Sequence, residues 1–198
     1  MEAVEKRLQE QIRFILEIDR LKRIYRQNFL VDGSRRENDA EHSWSLAVMA
    51  LVLKEYGPEG LDLTKVLQMV LLHDLVEIDA GDTFCYDPEA AADKAEREER
   101  AAERIFALLP PDQERELKGL WIEFEQGESR EAKFAICLDR LQPLLNNYHT
   151  SGGTWRVHDV SSAQVKKRVR AIAEISPTLG AYALGLVEKA VQRGILRK

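Results

Sequence analysis

The stretch that decides the fold and the chemistry of this chain is "VLLHDLVEIDAGD", residues 70–82. Residues 66–76 are almost entirely apolar, which indicates a buried helix, yet His73 and Asp74 stand in the middle of them. Three further carboxylates follow closely: Glu77, Asp79 and Asp82. An ionised carboxylate without a partner in an apolar interior costs several kcal/mol or more. The fold must therefore supply partners for these groups.

Composition limits the class of protein. The 198 residues suit one ordinary domain with a sizeable core, and 44% hydrophobic with 32% charged residues is typical of a globular chain. The net charge of −5 argues against a dedicated binder of long nucleic acid, but it permits a small anionic ligand. Two cysteines make no disulfide framework. No signal peptide or membrane-spanning apolar run is visible, so we expect a cytoplasmic protein without a membrane partner.

Helical periodicity and capping residues recur along the chain, and we find no convincing strand. The pattern predicts an all-α protein of about eight helices, forming a single domain over residues 1–198. Within it we distinguish a core of about residues 21–148 and C-terminal helices at 162–193. The predicted helices span approximately residues 3–24, 40–55, 63–79, 90–109, 112–125, 130–148, 162–175 and 178–193.

Ligand-type side chains interrupt three of these apolar helices. His73 and Glu77 are four residues apart and share a helix face, while Asp74 lies about a hundred degrees round the helix. His42 and Asp139 stand in two other apolar helices. Two imidazoles and two carboxylates suit a hard or borderline divalent cation. Each residue alone also fits a hydrogen-bonded core histidine, a helix cap or a salt-bridge partner, so the residues leave both interpretations open.

Three segments carry a resemblance to a known family. "ENDAEHSWSLAVMA", "LLHDLVEIDAGDT" and "ICLDRLQPLLNNYHTSGGTW" resemble the HD-domain phosphohydrolase superfamily, in the subgroup that contains 5′-deoxynucleotidases and related HD-domain proteins. The resemblance runs from about Leu21 to about Ile172. It implies an all-α HD domain around one divalent metal ion, with Mn, Co, Mg, Zn, Fe and Ni all possible. The ligands that it implies are His42, His73, Asp74 and Asp139.

The resemblance also implies roles for residues around the metal. Glu77 and Asp82 match acidic residues that assist attack by water, and which of them is the acid or the base stays open. Asp79 is outside that pattern, and we interpret it as a solvated turn residue. "LKRIYRQN" is similar to a segment in which an arginine contacts the substrate phosphate, which points to Arg26. Gln27 stands where the bacterial deoxynucleotidases have tryptophan, so the choice between deoxyribose and ribose stays open.

The function that the resemblance implies is that of an enzyme, a metal-dependent phosphoric monoester hydrolase. It would be a 5′-nucleotidase that converts (deoxy)nucleoside 5′-monophosphates to nucleoside and phosphate through a metal-activated water. One alternative is another HD-type hydrolase acting on nucleotide polyphosphates or cyclic nucleotides. A second is a non-catalytic metal- or nucleotide-binding module. A homodimer is the expected assembly. Sequence names neither the native metal nor the base preference.

Overall fold

A computed structural model describes residues 2–87, 89 and 92–198, and within them the fold is helical apart from one small hairpin. The predicted all-α class is therefore confirmed. The α-helices are α1 (Glu2–Ile18), α2 (Asp39–Leu53), α3 (Leu63–Leu72), α4 (Glu77–Ala80), α5 (Lys94–Phe106), α6 (Pro111–Gln126), α7 (Arg130–His149), α8 (Gly153–Val157), α9 (Ser162–Ile175) and α10 (Pro177–Gln192). Short 3-10 turns lie at Asp19–Arg23, Lys54–Tyr56 and His73–Val76.

Local capping chemistry fixes where the helices begin. The side chain of Asn38 accepts a hydrogen bond from the backbone N–H of Glu41 at 2.9 Å, and the Glu41 carboxylate accepts one from the backbone N–H of Asn38 at 3.1 Å. This capping box starts α2 and thereby sets the position of His42 in its first turn. A second capping box joins Ser161 and Gln164 at the start of α9. The first residues of the predicted helix 90–109 lie outside the described residues, and α5 begins at Lys94.

The expectation that the chain contains no strand is wrong. Strand β1 (Tyr25–Phe29) pairs antiparallel with β2 (Arg36–Asn38), in the register Tyr25 opposite Asn38 and Phe29 opposite Arg36. The sequence YRQNF lacks the apolar alternation that marks a half-buried strand. The hairpin is instead held by backbone pairing and by side-chain hydrogen bonds to the helices. Asn28 donates to the carbonyl of Pro143 at 3.3 Å, and Thr154 donates to the carbonyl of Gln27 at 2.8 Å.

The predicted continuous helix 63–79 is also wrong, because the chain tightens at His73. Helix α3 ends at Leu72, a 3-10 turn covers His73–Val76, and α4 follows as a single turn that Gly81 ends with a φ of 76°. His73 Nδ1 lies 3.0 Å from the carbonyl oxygen of Val70, so this side chain bonds to the backbone of the preceding turn. A 3-10 turn advances its side chains differently from an α-helix. The break therefore changes where His73 and Asp74 point.

The break lies where two hydrophobic clusters meet. One cluster contains residues of α3 such as Met69 and packs them against α2, α6, α7, α9 and α10. The other contains Leu75 and Val76 of the 3-10 turn and packs them against α5 and Phe14 of α1. His73 and Asp74 lie between these two sets in the chain. The site is therefore built at the junction of two packed bodies.

Several apolar side chains remain exposed on α1 and α2. Trp44 on α2 is 66% exposed. Other large apolar residues exposed on these two helices are Val4, Leu8, Ile12, Ile15, Leu16, Val48, Leu51 and Val52. In the described part of the chain, no helix is long and apolar enough to cross a membrane. Cys85 and Cys137 are both free thiols, as expected.

Candidate metal centre and active site

The predicted site residues meet at one cavity of about 330 Å³. That volume lies within the range of small-molecule sites. Its lining includes Arg26 from β1, Asp139 from α7, and four residues from the opening stretch, namely His73, Asp74, Glu77 and Asp82. His42 lies behind this lining, fully buried, and reaches Asp139. The structure thus brings together all seven residues, which four different segments of the chain supply, namely β1, α2, residues 70–82 and α7.

Two imidazoles and two carboxylates form the inner end of the cavity. His42 Nε2 lies 3.1 Å from Asp139 Oδ1, and His73 Nε2 lies 3.1 Å from Asp74 Oδ1. The cross distances, from His73 to Asp139 and from His42 to Asp74, are both 3.9 Å. Neighbouring ligands on a metal with bonds of about 2.1 Å lie about 3 Å apart. His42, His73 and Asp139 each place a donor atom within 4.8 Å of the other two, as the ligands of one metal ion do, and Asp74 lies beside them.

The hydrogen bonds behind the imidazoles fix which nitrogen faces the carboxylates. A carbonyl oxygen can only accept, so the Val70 carbonyl beside His73 Nδ1 places the ring proton on Nδ1. His42 Nδ1 lies 3.2 Å from Gln142 Oε1, and Gln142 Nε2 donates to Glu37 at 2.6 Å. The Glu37 bond orients the amide so that its oxygen accepts from His42. When the two rings are neutral, both Nε2 atoms therefore present a lone pair to a carboxylate.

A lone pair facing an ionised carboxylate needs a positive centre between them. Burial and the nearby Arg26 charge lower the pKa of His42, which disfavours a proton on that ring. His73 Nε2 is buried, and its contact with Asp74 Oδ1 at 3.1 Å lacks hydrogen-bond geometry, so among the residues that the structure describes it has no hydrogen-bond partner. Neutral imidazole and carboxylate are the donors that divalent transition metals bind. The arrangement of these groups fits a divalent cation.

Asp74 and Asp139 are held in the charged state. Burial acts to raise the pKa of Asp74, but the adjacent His73 side chain and the Arg26 guanidinium hold that pKa well below its ordinary value. The same opposition operates at Asp139, where the adjacent His42 and His73 side chains and the Arg26 guanidinium outweigh burial and hold the pKa low. Charged carboxylates are the form that coordinates a metal.

A second group of carboxylates lies beside the first. Asp39, Glu77 and Asp82 each place an oxygen within 4.8 Å of the others. Burial raises the pKa of Glu77 well above its ordinary value and raises that of Asp82, and the Asp74 charge adds to both effects. Burial and Asp74 also raise the pKa of Asp39 to about 7. These carboxyls hold protons more readily than exposed ones, which is a property of general acids and bases.

Arg26 places its guanidinium among these carboxylates. It lies 2.7 Å from Asp74, 3.3 Å from Asp39, 3.7 Å from Asp82 and 4.0 Å from Asp139. Only 14% of its side chain is exposed. The strand β1 therefore contributes the buried positive charge that partly balances the acidic groups. Its bonds to carboxylate oxygens are the type that it can also make to phosphate oxygens.

Three residues of the site were not predicted from sequence. Asp39, at the start of α2, has a fully buried side chain that contacts Arg26. Its spacing of three residues from His42 was a signal, since such residues share a helix face. Gln142 stands at the same spacing from Asp139. Glu37 gave no signal, because it lies in the hairpin strand β2 that the pattern did not indicate.

Asp79 lies outside the site, in agreement with its interpretation from sequence as a solvated turn residue. It is exposed and forms ion pairs with Arg104 and, at 3.8 Å, with Arg20. These contacts join α4 to α5 and to the 3-10 turn after α1. Asp79 is therefore a surface carboxylate close in sequence to the cavity, which makes it a suitable control.

The outer wall of the cavity is aromatic and cationic, unlike the acidic inner end. Its aromatic members are Phe84, Tyr86 and Trp155, and its cationic members include Arg140 and Arg168. Gln27 also lines the cavity, and its side-chain oxygen lies 3.2 Å from His158 Nε2. The cavity thus combines an acidic, histidine-containing end with an aromatic and cationic end.

The fold and the site define a recognised class of protein. A family model described as the HD domain matches residues 18–179, and the chain belongs to that family. A protein from Magnetospirillum magnetotacticum MS-1, described as a predicted metal-dependent phosphohydrolase, has a solved structure that superposes with a TM-score of 0.94. It is 55% identical, and the alignment covers 98% of this chain and 97% of that one.

Two further comparisons extend the relationship. The human 5′-deoxynucleotidase HDDC2 is 34% identical over 135 residues, which are 68% of this chain and 65% of the human protein. The chain therefore spans less than two thirds of that relative's length. An HD-domain phosphohydrolase from Listeria innocua is 19% identical, with a TM-score of 0.59 over 91% of this chain and 85% of that one. This last likeness concerns the fold.

Proposed function

We propose that this protein is a metal-dependent phosphohydrolase that hydrolyses (deoxy)nucleoside 5′-monophosphates to nucleoside and phosphate, with residues 1–198 acting as one domain. The observation that carries the proposal is a single cavity with three features. It holds a histidine–aspartate cluster spaced for a metal, carboxyls with raised pKa values, and a buried arginine. A purely structural metal site needs the first feature but not the other two.

The metal would be held by His42, His73, Asp74 and Asp139. One divalent ion suits this mixed nitrogen and oxygen set, and Mn, Co, Mg, Zn, Fe and Ni are all compatible with it. When bound, such an ion lowers the pKa of a coordinated water and polarises the phosphoryl group. The Val70 carbonyl and Gln142 hold the two rings in the orientation that binding requires.

The remaining residues act on the substrate and on protons. Arg26 gives up a contact with a carboxylate, binds the substrate phosphate instead, and neutralises charge on that phosphate. Glu77, whose Oε2 is buried without a hydrogen-bond partner among the described residues, orients the attacking water and accepts its proton. Asp82, with its raised pKa, gives a proton to the leaving 5′-oxygen. The water oxygen bonds to phosphorus as the bond from phosphorus to the 5′-oxygen breaks.

The nucleotide part of the proposal rests on the relatives. The human, bovine and mouse proteins at 33–34% identity are all named 5′-deoxynucleotidases. The aromatic outer wall suits a nucleoside body, because flat bases stack on aromatic rings. We assign no preference between deoxyribose and ribose, since Gln27 replaces the tryptophan that the family resemblance leads us to expect.

Phosphate release tests the proposal. Purified protein is assayed with each candidate metal against deoxy- and ribonucleoside 5′-monophosphates, nucleoside triphosphates and cyclic nucleotides. We expect release from the monophosphates that needs metal and falls by about 10²-fold or more in Glu77→Gln. Asp79→Asn, a nearby surface carboxylate, is the matched control and should retain activity. Turnover of polyphosphates or cyclic nucleotides alone would replace the substrate assignment, and no turnover with any metal would remove the enzyme assignment.

We also propose that the protein is a homodimer. The support is the apolar surface on α1 and α2, including Trp44 and Ile12, since exposed apolar residues in number mark interfaces. Light scattering after size exclusion should give twice the mass of 22.7 kDa for the native chain. Trp44→Glu should shift it toward the monomer, whereas a native protein that elutes as a monomer at micromolar concentration would contradict the proposal.

A further inference from the structure

Two arginines on the outer wall are not used by the proposed mechanism. Arg140 follows Asp139 on α7, and Arg168 lies on α9, and both line the same cavity as the metal cluster. Both are half-buried. Within the described residues, no carboxylate lies within salt-bridge distance of either guanidinium, and neither guanidinium makes a hydrogen bond. The Cζ atom of Arg168 lies over the ring of Tyr86, 5.9 Å from its centroid, a cation–π contact that supplies no negatively charged partner.

The two guanidiniums carry like charges and line one cavity. Like charges held together at the edge of a cavity are unfavourable unless an anion joins them. Arg26, by contrast, is surrounded by carboxylates. The cavity therefore contains one arginine satisfied by acids and two that lack an acidic partner.

The position of the pair relative to the metal cluster suggests what binds there. Phe84, Tyr86 and Trp155 line the cavity together with the two arginines and offer an apolar surface for an organic body. A monophosphate brings one dianionic group, which the metal cluster and Arg26 would bind. An unpaired guanidinium pair elsewhere in the cavity calls for a second anionic group on the same ligand, and guanidinium binds phosphate in bidentate fashion.

We propose that Arg140 and Arg168 form a second phosphate subsite, and that the preferred substrates are nucleoside bisphosphates, with a second phosphate on the sugar besides the 5′-phosphate. This inference rests on the proposed function, because it takes the 5′-phosphate as the group that is hydrolysed. Water attacks the phosphorus of the 5′-phosphate, the bond to the 5′-oxygen breaks, and that oxygen takes up a proton. The second phosphate stays on the product, held by the two arginines.

A comparison of two substrates tests the subsite. The ratio of kcat/KM for deoxyadenosine 3′,5′-bisphosphate to that for deoxyadenosine 5′-monophosphate is measured in the metal-loaded protein. We expect a ratio of at least about tenfold, because hydrogen bonds to charged groups are the strong ones. The ratio should fall toward one in Arg140→Gln and in Arg168→Gln, and Arg168→Lys should keep part of it. Arg170→Gln, on the exposed side of α9, is the matched control and should keep the full ratio.

A binding measurement keeps this inference separate from the proposed function. Calorimetry on metal-loaded Glu77→Gln compares the same two nucleotides without turnover. The subsite is supported if Glu77→Gln binds the bisphosphate more tightly than the monophosphate and if this difference disappears in Glu77→Gln/Arg168→Gln. This holds even if no nucleotide is hydrolysed. Equal binding and equal kcat/KM for the two nucleotides, with the monophosphate still hydrolysed, would overturn the subsite and leave the proposed function standing. The arginine variants could instead lose kcat/KM equally for both nucleotides, by a factor that changes with the base. That result would indicate that the arginines contact the base, and it would also overturn the subsite.

Discussion

His42 Nε2 lies 3.1 Å from Asp139 Oδ1, a contact between residues 97 positions apart in the chain. It joins the first turn of α2 to the middle of α7. Because the side-chain oxygen of Gln142 accepts a hydrogen bond from the N–H at Nδ1 of the neutral His42 ring, Nε2 presents a lone pair to the Asp139 carboxylate inside the protein. A cation bound between the two groups would attract both of them. The metal-binding predictions below depend on that cation.

Removing either member of this pair should remove the metal. We expect His42→Ala and Asp139→Asn to bind the metal at least about tenfold more weakly than the native protein, as loss of a ligand costs more than loss of a supporting group. Metal content after dialysis, measured by mass spectrometry, checks this. His149→Ala replaces an exposed histidine on α7 and is the control. Native metal content in both ligand variants would refute the assignment.

Gln142 should act through His42 and not on the substrate. Gln142→Leu leaves His42 Nδ1 and the Glu37 carboxylate without their partner. We expect metal affinity to fall by about 10- to 100-fold, the usual effect of losing a group that orients a ligand. Titration of metal into the apoprotein measures it, and thermal melting establishes that the variant is folded. Gln126→Leu, at the exposed end of α6, should have native affinity, and native affinity in Gln142→Leu would contradict the role.

The leaving group should separate the roles of Glu77 and Asp82. If Asp82 donates the proton to the leaving oxygen, Asp82→Asn should slow nucleotide hydrolysis by about 10²-fold or more. It should slow p-nitrophenyl phosphate much less, because that leaving group departs without protonation. Glu77→Gln should slow both substrates alike, since both need the water activated. Equal losses on both substrates in Asp82→Asn would assign the proton donor elsewhere.

The contact between Arg7 and Asp112 should produce an acid-dependent contribution to stability. Arg7 bonds to both oxygens of Asp112, at 2.7 and 2.8 Å, and its hydrogen bond lowers the pKa of Asp112 from 3.8 to about 2. A folded-state pKa below the unfolded one stabilises the protein above about pH 4, and the benefit disappears as the pH falls toward 2. Asp112→Asn should therefore lower the melting temperature slightly near pH 6.

The control for that prediction lies on the same helix. The difference in melting temperature between Asp112→Asn and the native protein should shrink as the pH falls through the window from about 4 to 2. Glu116→Gln, at an exposed position of α6, should show no such change with pH. A difference for Asp112→Asn that is constant from pH 6 down to the acid limit would contradict the ion-pair account.

Sequence predicted much of this molecule for identifiable reasons. Capping residues such as Ser161 and Asn38 act locally, so the helix starts that depend on them could be predicted from a few neighbouring letters. His73 and Asp74 are polar residues in an apolar stretch, and they located the site because buried polar groups need hydrogen-bond partners in the folded protein. The reaction itself came from the family resemblance, as periodicity carries no information about phosphate.

The features that sequence missed depend on tertiary contacts. Neighbouring residues on a helix point in different directions, and His73 Nε2 reaches 3.1 Å from Asp74 through a side-chain orientation, with Nδ1 beside the Val70 carbonyl, that no periodicity reveals. The hairpin that carries Arg26 has polar strands and is held by α7 and α8. Strands of that kind have no signature until the helices are in place.

Anomalous diffraction from crystals grown with Mn²⁺ tests the central claim most directly, since it locates the metal without reference to activity. We predict one strong peak bounded by His42 Nε2, His73 Nε2 and carboxylate oxygens of Asp74 and Asp139, and no such peak in crystals of Asp139→Asn. A native crystal with no peak at this cluster, or with its strongest peak away from these four side chains, would contradict the account.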